Sequence, residues 1–349
     1  MTESNRQFRL AQRPTGTPTR EDFDLVEADI PDPGHEEVLV KTCYLSVDPY
    51  MRGRMRDADS YAEPWDVGDV MSAGIVGEVV ESNNPRFETG DIVAGNLDWA
   101  EYATAKGHEL TAVDPDYAPI STALGVLGMP GRTAYFGLLE VAEPTPGDTV
   151  VVSGAAGAVG SVVGQLAQLA GCRVVGTAGS DEKVAWLTEE LGFDAAINYK
   201  TTESMPTALA DACPDGVDVY FDNVGGPITD AVMQQLNVGA RVAVCGQISQ
   251  YNATEPPQGP RKFGQLIVSR ARVEGFLVSD FASEFETATE RLASWVASGD
   301  LVYRESIVEG FENAPAAFLG LFEGDNIGKQ LVKVAEPSLT DAESVRTEA

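Results

Sequence analysis

The stretch Thr149–Gly171, TVVVSGAAGAVGSVVGQLAQLAG, decides the fold. Its opening, Thr149-Val150-Val151-Val152, is a β-branched apolar run of the kind buried on both faces of a parallel sheet. Gly154, Gly157 and Gly160 follow at three-residue spacing, with only Ala155, Ala156, Ala158 and Val159 between them. The period then changes. Val162, Val163, Leu166, Leu169 and Ala170 fall at helical spacing, and Gly171 stands where a helix would be capped. Strand, glycine turn and helix form a phosphate-binding device: small residues let the backbone close on a pyrophosphate, and the helix start offers unpaired N–H groups and partial positive charge. A glycine triplet alone is a weak signal; this one has a strand before it, a helix after it and more strands downstream.

Downstream, strands are predicted at Arg173–Thr177, Ala195–Asn198, Val217–Asp222 and Arg241–Cys245, with Arg272–Leu277 as a sixth. Helices are predicted between them at Asp181–Leu191, Thr202–Ala212 and Ile228–Leu236, the last closed by Gly239. This alternation means an α/β, doubly wound parallel sheet with right-handed crossovers. Upstream, residues 1 to about 125 read as β-rich, with strand-like pieces at Glu37–Leu45, Gly74–Glu81 and Asp91–Ala94. GMPGRTAYFGLLE (Gly128–Glu140) reads as a loop entering a helix and marks the passage between domains. Phe281–Ser298 reads as one long helix, Leu301–Val308 and Lys329–Val334 as strands around a helical stretch near Ala316–Phe322. These strands fit the β-rich part, so the expected division is 1–125 rejoined by 300–336, a dinucleotide-binding domain at 126–299, and a disordered acidic tail at 337–349.

The 349 residues are 43% apolar, which is globular composition with room for two cores. No apolar run is long enough to cross a bilayer and MTESNRQFRL lacks a signal-peptide core, so a cytoplasmic protein is expected. Cys43, Cys172, Cys213 and Cys245 are scattered and read as buried free thiols. There are 54 acidic against 24 basic residues, a formal charge of −30. An acidic coat of this size repels nucleic acid and anionic membranes and predicts a halophilic, salt-requiring fold.

The residues just after the second strand discriminate between cofactors. NAD-preferring sites place Asp or Glu there. Here the strand runs into Thr177-Ala178-Gly179-Ser180, and Lys183 lies just inside the next helix. Either Lys183 pairs with a 2′-phosphate or it is a solvated helix lysine; Asp181 and Glu182 read as capping residues. FDNVGG (Phe221–Gly226) and VCGQISQYN (Val244–Asn252) each follow a strand and would face the ribose and nicotinamide, unless their glycines only shape turns. LSVDPYMRGRM (Leu45–Met55) is either a substrate-contacting loop or a solvated basic one. His35 and His108 have no nearby cysteine, so neither a catalytic zinc nor a Ser-His-Asp triad is expected, and no metal ligands are assigned. Tyrosine hydroxyls, Tyr50 and Tyr251, remain to polarise a carbonyl.

Taken together, LSVDPYMRGRM, GMPGRTAYFGL, VSGAAGAVGSVVGQLAQLAGCRVVGTAGSDEK, LGFDAAINYKT, YFDNVGG, RVAVCGQISQYN and DNIGKQLVKV resemble the zinc-independent medium-chain dehydrogenases/reductases. The resembling branch holds leukotriene/prostaglandin reductases, alkenal double-bond reductases and curcumin reductase. The resemblance implies a GroES-like catalytic domain, a Rossmann domain, a homodimer and NADPH. It also implies that Lys183 and Tyr199 hold the 2′-phosphate, with Gly179 and Ser180 beside them. Asn223, Cys245, Gly246 and Asn326 would line the cofactor, Thr133 would lie near the nicotinamide amide, and Tyr50 and Tyr251 would border the substrate. Arg132 departs from a position that is often apolar in the branch, which implies either an altered substrate preference or a surface change. The expected activity is NADPH-dependent reduction of the C=C bond of an α,β-unsaturated aldehyde or ketone. A quinone reductase and a non-catalytic NADPH-binding protein are the alternatives.

Overall fold

The computed structural model describes residues 4–58 and 60–338. These divide into two compact units: Met1–Leu124 with Ser306–Asp325 and Gln330–Ala349, and Gly125–Glu305 with Asn326–Lys329. Relative to the sequence expectation, residues 300–305 stay with the second unit and 326–329 return to it.

The first unit opens with an antiparallel pair, β1 (Asn5–Leu10) and β2 (Phe23–Ala28). A second sheet follows from β3 (Glu37–Ser46), β4 (Ser72–Ser82), β5 (Ile92–Asp98), β6 (Tyr102–Lys106) and the short β7 (Thr111–Ala112). Successive strands pair antiparallel, β3 with β4 and β4 with β5. The core gathers Phe8, Phe23, Trp99, Phe311 and Phe318, with Phe23 stacked on Trp99 at 6.2 Å and Phe8 edge-on to it.

After β3 the chain makes a helical turn, α1 (Met51–Arg54). Its arginines are not the solvated loop that the sequence allowed. Arg52 is 1% exposed and donates to the carbonyls of Gly16 (2.8 Å) and Pro14 (3.3 Å), and burial pushes its guanidinium down to about 10. Arg54 lies 4.4 Å over the Trp65 ring and donates to Ser72 Oγ.

The second unit begins with α2 (Met129–Phe136), where Pro130 takes the first turn and needs no N–H partner. Six strands follow: β8 (Thr149–Val152), β9 (Arg173–Ala178), β10 (Ala195–Asn198), β11 (Val217–Asp222), β12 (Leu236–Val244) and β13 (Arg272–Gly275). Their order is β10-β9-β8-β11-β12-β13, every pairing parallel. This is a doubly wound, Rossmann-type α/β sheet, and its order reverses between β8 and β11. The crossovers carry α3 (Gly160–Leu169), α4 (Asp181–Ala185), α5 (Met205–Ala212), α6 (Gly226–Val232), α7 (Phe263–Ser269) and, after β13, α8 (Phe285–Ser298).

Three local expectations fail for tertiary reasons. Helix α6 stops at Val232, because Leu236 pairs with Val217 and opens β12. The long helix at Phe281 starts at Phe285 instead; Phe281 is non-helical and stacks on Phe136 at 4.7 Å. The strand expected from Leu301 starts at Glu305, because Val302 is held on both sides by the amide of Gln165.

The chain ends with β14 (Glu305–Glu309), α9 (Ala314–Glu323) and β15 (Lys329–Lys333), completing a sheet of order β14-β15-β3-β4-β5-β7. Most of the acidic tail expected at 337–349, residues 339–349, lies outside the described residues. Ser338 donates through its N–H and hydroxyl to Glu78 Oε2. Among the described residues no helix is long and apolar enough to cross a membrane.

Candidate functional site

The glycine turn lies at the C-terminal end of β8, where the sheet order reverses. Gly154 takes φ +59°, and a Cβ on Gly160 would stand 2.4 Å from Gly154 O, so the turn closes only with glycine at both. Gly154, Gly157, Ala158 and Val159 are partly exposed. Among the described residues the amides of Ala158 and Val159 meet no acceptor within the chain, and Val159, the residue that precedes α3, gives that helix no side-chain cap. That leaves N–H groups at the positive end of a helix free for an anion. Ala155 corrects the sequence reading: its side chain is fully buried and its N–H is spent on Thr177 O, so it shapes the turn from beneath.

On the other side of the switch point a residue missed from the sequence organises everything. Asp222, 1% exposed at the end of β11, accepts from Ser153 Oγ, Tyr220 Oη, Thr229 Oγ1 and the amides of Val224 and Gly225. Its own carbonyl receives the amides of Cys245 and Gly246. The only signal in the sequence was a carboxylate between a buried strand and two glycines. Asn223 donates through Nδ2 to Ser153 O (2.8 Å), locking the two strand ends together. Burial beside Asp222 pushes the Cys245 thiol up to about 12, so it stays neutral.

Tyr251 follows on the loop after β12. Its hydroxyl lies over Gly246, 3.1 Å from where a Cβ would be, and accepts the N–H of Gln247 at 3.3 Å. Burial holds this phenol above its ordinary value of 10, so it is a neutral donor.

The end of β9 forms a second cluster. Ser180 caps α4, accepting the amide of Lys183 at 3.3 Å; the capping is done by Ser180 and not, as the sequence suggested, by Asp181 or Glu182. Asp181 instead accepts from Asn198 Nδ2 at 2.7 Å. A Cβ on Gly179 would be 2.8 Å from Tyr199 Oη, and Tyr199 is 40% exposed. Gly179, Ser180, Lys183 and Tyr199 are thus neighbours at the ends of two paired strands.

The remaining expected residues fall into two groups. Asn326 comes alongside the glycine turn: Gly328 donates to Ala156 O (2.8 Å) and bridges Gly157, while Asn326 Nδ2 is tied to Gly328 O. Thr133 spends its hydroxyl proton on Met129 O at 2.7 Å. Arg132 proves to be neither a substrate contact nor a surface change. It is a half-buried brace from α2 to α8, donating to Thr289 Oγ1 (2.9 Å) and lying 4.9 Å over Phe285. Tyr50, in the first unit, packs against that unit's core, and burial pushes its hydroxyl up.

Two family models match the chain, "N-terminal domain of oxidoreductase" over residues 6–113 and "Zinc-binding dehydrogenase" over 158–294. Prostaglandin reductase 1 of Mus musculus is 49% identical across 91% of this chain and 95% of its own length. NADPH-dependent curcumin reductase of Escherichia coli (strain K12) is 46% identical across 95% and 98%. The chain belongs to the zinc-independent medium-chain dehydrogenases/reductases. The crystal structure of CurA from Vibrio vulnificus in complex with NADPH, another similar protein, matches at 47% identity and a TM-score of 0.91, covering 95% of this chain and all of that one. Among the described residues no group of three or more His, Cys, Asp or Glu side chains is placed to hold a metal ion.

Proposed function

We propose that this protein is an NADPH-dependent reductase of the C=C bond of α,β-unsaturated aldehydes and ketones. The observation that carries it is the neutral Tyr251 phenol, fixed over Gly246 at the end of β12 next to a glycine turn shaped for a diphosphate. Residues of this unit would hold the cofactor along its length. The amides of Ala158 and Val159 would take the pyrophosphate, and Lys183 and Tyr199 would take the 2′-phosphate at Gly179. Asn223, Cys245, Gly246 and Asn326 would border its path beyond the pyrophosphate, on the β11–β12 side of the glycine turn, and Thr133 would lie toward the nicotinamide amide. The chemistry that bound NADPH supplies is a hydride for the β-carbon of the substrate.

Reduction at the β-carbon drives negative charge onto the carbonyl oxygen, and a proton from solvent added at the α-carbon then gives the saturated carbonyl. Tyr251 donates its hydroxyl proton in a hydrogen bond to that oxygen, and the N–H of Gln247 on the phenolic oxygen orients the ring and sharpens the donor. The relatives' names, a curcumin reductase and a prostaglandin reductase, are consistent with conjugated substrates. Tyr50 retains its proposed place beside the substrate on the strength of the VDPYMR motif alone.

A homodimer is part of the same proposal. Strand β13 ends the parallel sheet with all four residues exposed, and Phe263, Ile267 and Val268 on the preceding helix are exposed too. An open, partly apolar strand edge pairs readily with a second copy.

The test is loss of NADPH absorbance at high salt with a 2-alkenal, a cyclic enone and a benzoquinone. Turnover of the alkenal and enone with saturated carbonyl product is expected. Turnover of the quinone alone would replace the reading with a quinone reductase, and binding of NADPH without turnover of any would leave a cofactor-binding protein.

A further inference from the structure

We propose that Lys200 is a second cation for the 2′-phosphate, positioned beside Lys183 and Tyr199 by the side chain of Asn198. The inference rests on the NADPH reading above. It starts from strand register. β9 and β10 pair in parallel with Asn198 opposite Ala178, so the turns that leave the two strands emerge together. One turn brings Gly179 and Ser180, the other Tyr199 and Lys200. Gly179 has no side chain to separate them: a Cβ there would stand 2.8 Å from Tyr199 Oη and 3.3 Å from Lys200 Cε. Both side chains therefore lie over the same bare stretch of backbone.

Asn198 sets this arrangement with both ends of its amide. Its Oδ1 accepts the N–H of Lys200 at 3.0 Å, which fixes the direction in which the lysine leaves the strand. Its Nδ2 donates to Asp181 Oδ1 at 2.7 Å, which gives that carboxylate a neutral partner. The amide thus aims a cation and restrains an anion in one move.

Charge supply makes the placement telling. The chain has 54 acidic residues and 24 basic ones, only seven of them lysines, yet two of the seven stand at the ends of these paired strands, Lys200 beside Gly179 and Lys183 in the helix turn capped by Ser180. A phosphate monoester carries about −1.5 to −2 at neutral pH, which one ammonium offsets only in part. Lysine serves here as a compact point charge, the form in which it binds phosphate.

The experiment is calorimetric titration of 2′,5′-ADP and 5′-AMP into wild type, Lys200→Met and Lys200→Arg, with circular dichroism to check folding. Wild type is expected to prefer 2′,5′-ADP. Lys200→Met should weaken 2′,5′-ADP about tenfold and flatten its dependence on salt, leaving 5′-AMP unchanged, and Lys200→Arg should keep most of the affinity. If wild type discriminates and Lys200→Met discriminates equally well, or loses both ligands alike, the assignment of Lys200 is overturned while the NADPH reading stands. If wild type does not discriminate, both fall together.

Discussion

At the level of single residues, the proposed chemistry turns on the protonation of Tyr251. The hydroxyl can donate to a substrate oxygen only while it keeps its proton. Burial raises its pKa above 10, so the donating form persists from neutral pH into the alkaline range and is lost as pH rises through the raised value. The expected kcat profile is flat to about pH 10 and falls beyond it. Tyr251→Phe should lower kcat by about 10², since one lost oxyanion donor costs roughly 2.7–4 kcal/mol, and should erase the alkaline limb. An unchanged kcat in the folded variant would take Tyr251 out of the mechanism. Tyr251 came forward as a candidate from the sequence because few neutral donors remained once metal and histidine chemistry had been set aside, and the structure puts its phenol over Gly246. Asp222 was not legible: four of its five donors lie within seven residues of it but are turned onto one carboxylate only by the strand end and α6, the fifth, Ser153, arrives from β8, and its burial is a property of the folded sheet. Arg52 and Arg132 misled for the same reason, since an arginine in a loop motif gives no sign that carbonyls and an aromatic ring will enclose it.

The elements were read best where one local rule decided them. β10 and β11 match their expected bounds because short apolar runs between turn signals have no competing period. The ends of α6 and α8 did not match, because the residues there are helix-compatible but are claimed by β12 pairing and by the Phe136–Phe281 stack. The glycine turn can be tested as an element. In Gly160→Ala the new methyl would lie 2.4 Å from Gly154 O and 2.8 Å from Ala155 Cα, both backbone, so the turn must open. Overpacking of this kind costs about 1–3 kcal/mol, and it would also move the amides of Ala158 and Val159. A lower Tm together with at least tenfold weaker NADPH binding is expected. Gly264→Ala, on α7 with nothing within 4 Å of the new Cβ, is the control and should be neutral or slightly stabilising. Equal behaviour of the two variants would mean that the turn is not held shut by its glycines.

For the whole molecule the governing quantity is the charge of −30, which no single element carries. Few cations are available to offset it, and most ion pairs among the described residues, such as Arg13–Asp66 and Arg272–Glu143, are solvent-exposed and individually weak. Self-repulsion is therefore relieved chiefly by dissolved salt, whose screening length shrinks from about 10 Å at 0.1 M to about 3 Å at 1 M. Pairing of two copies along β13 would bring two such charges together, so association and folding should respond to salt in the same direction. Light scattering and thermal melts across about 0.1 to 2 M KCl should show Tm rising steeply and the dimer replacing the monomer over that range. An equal osmolality of sorbitol should not reproduce this, because a neutral solute does not screen. A melt that is already at its maximum in dilute buffer, with the dimer intact there, would mean that the acidic surface is tolerated without salt, and that residues joined in the fold offset the repulsion in a way that the ion pairs named above do not account for.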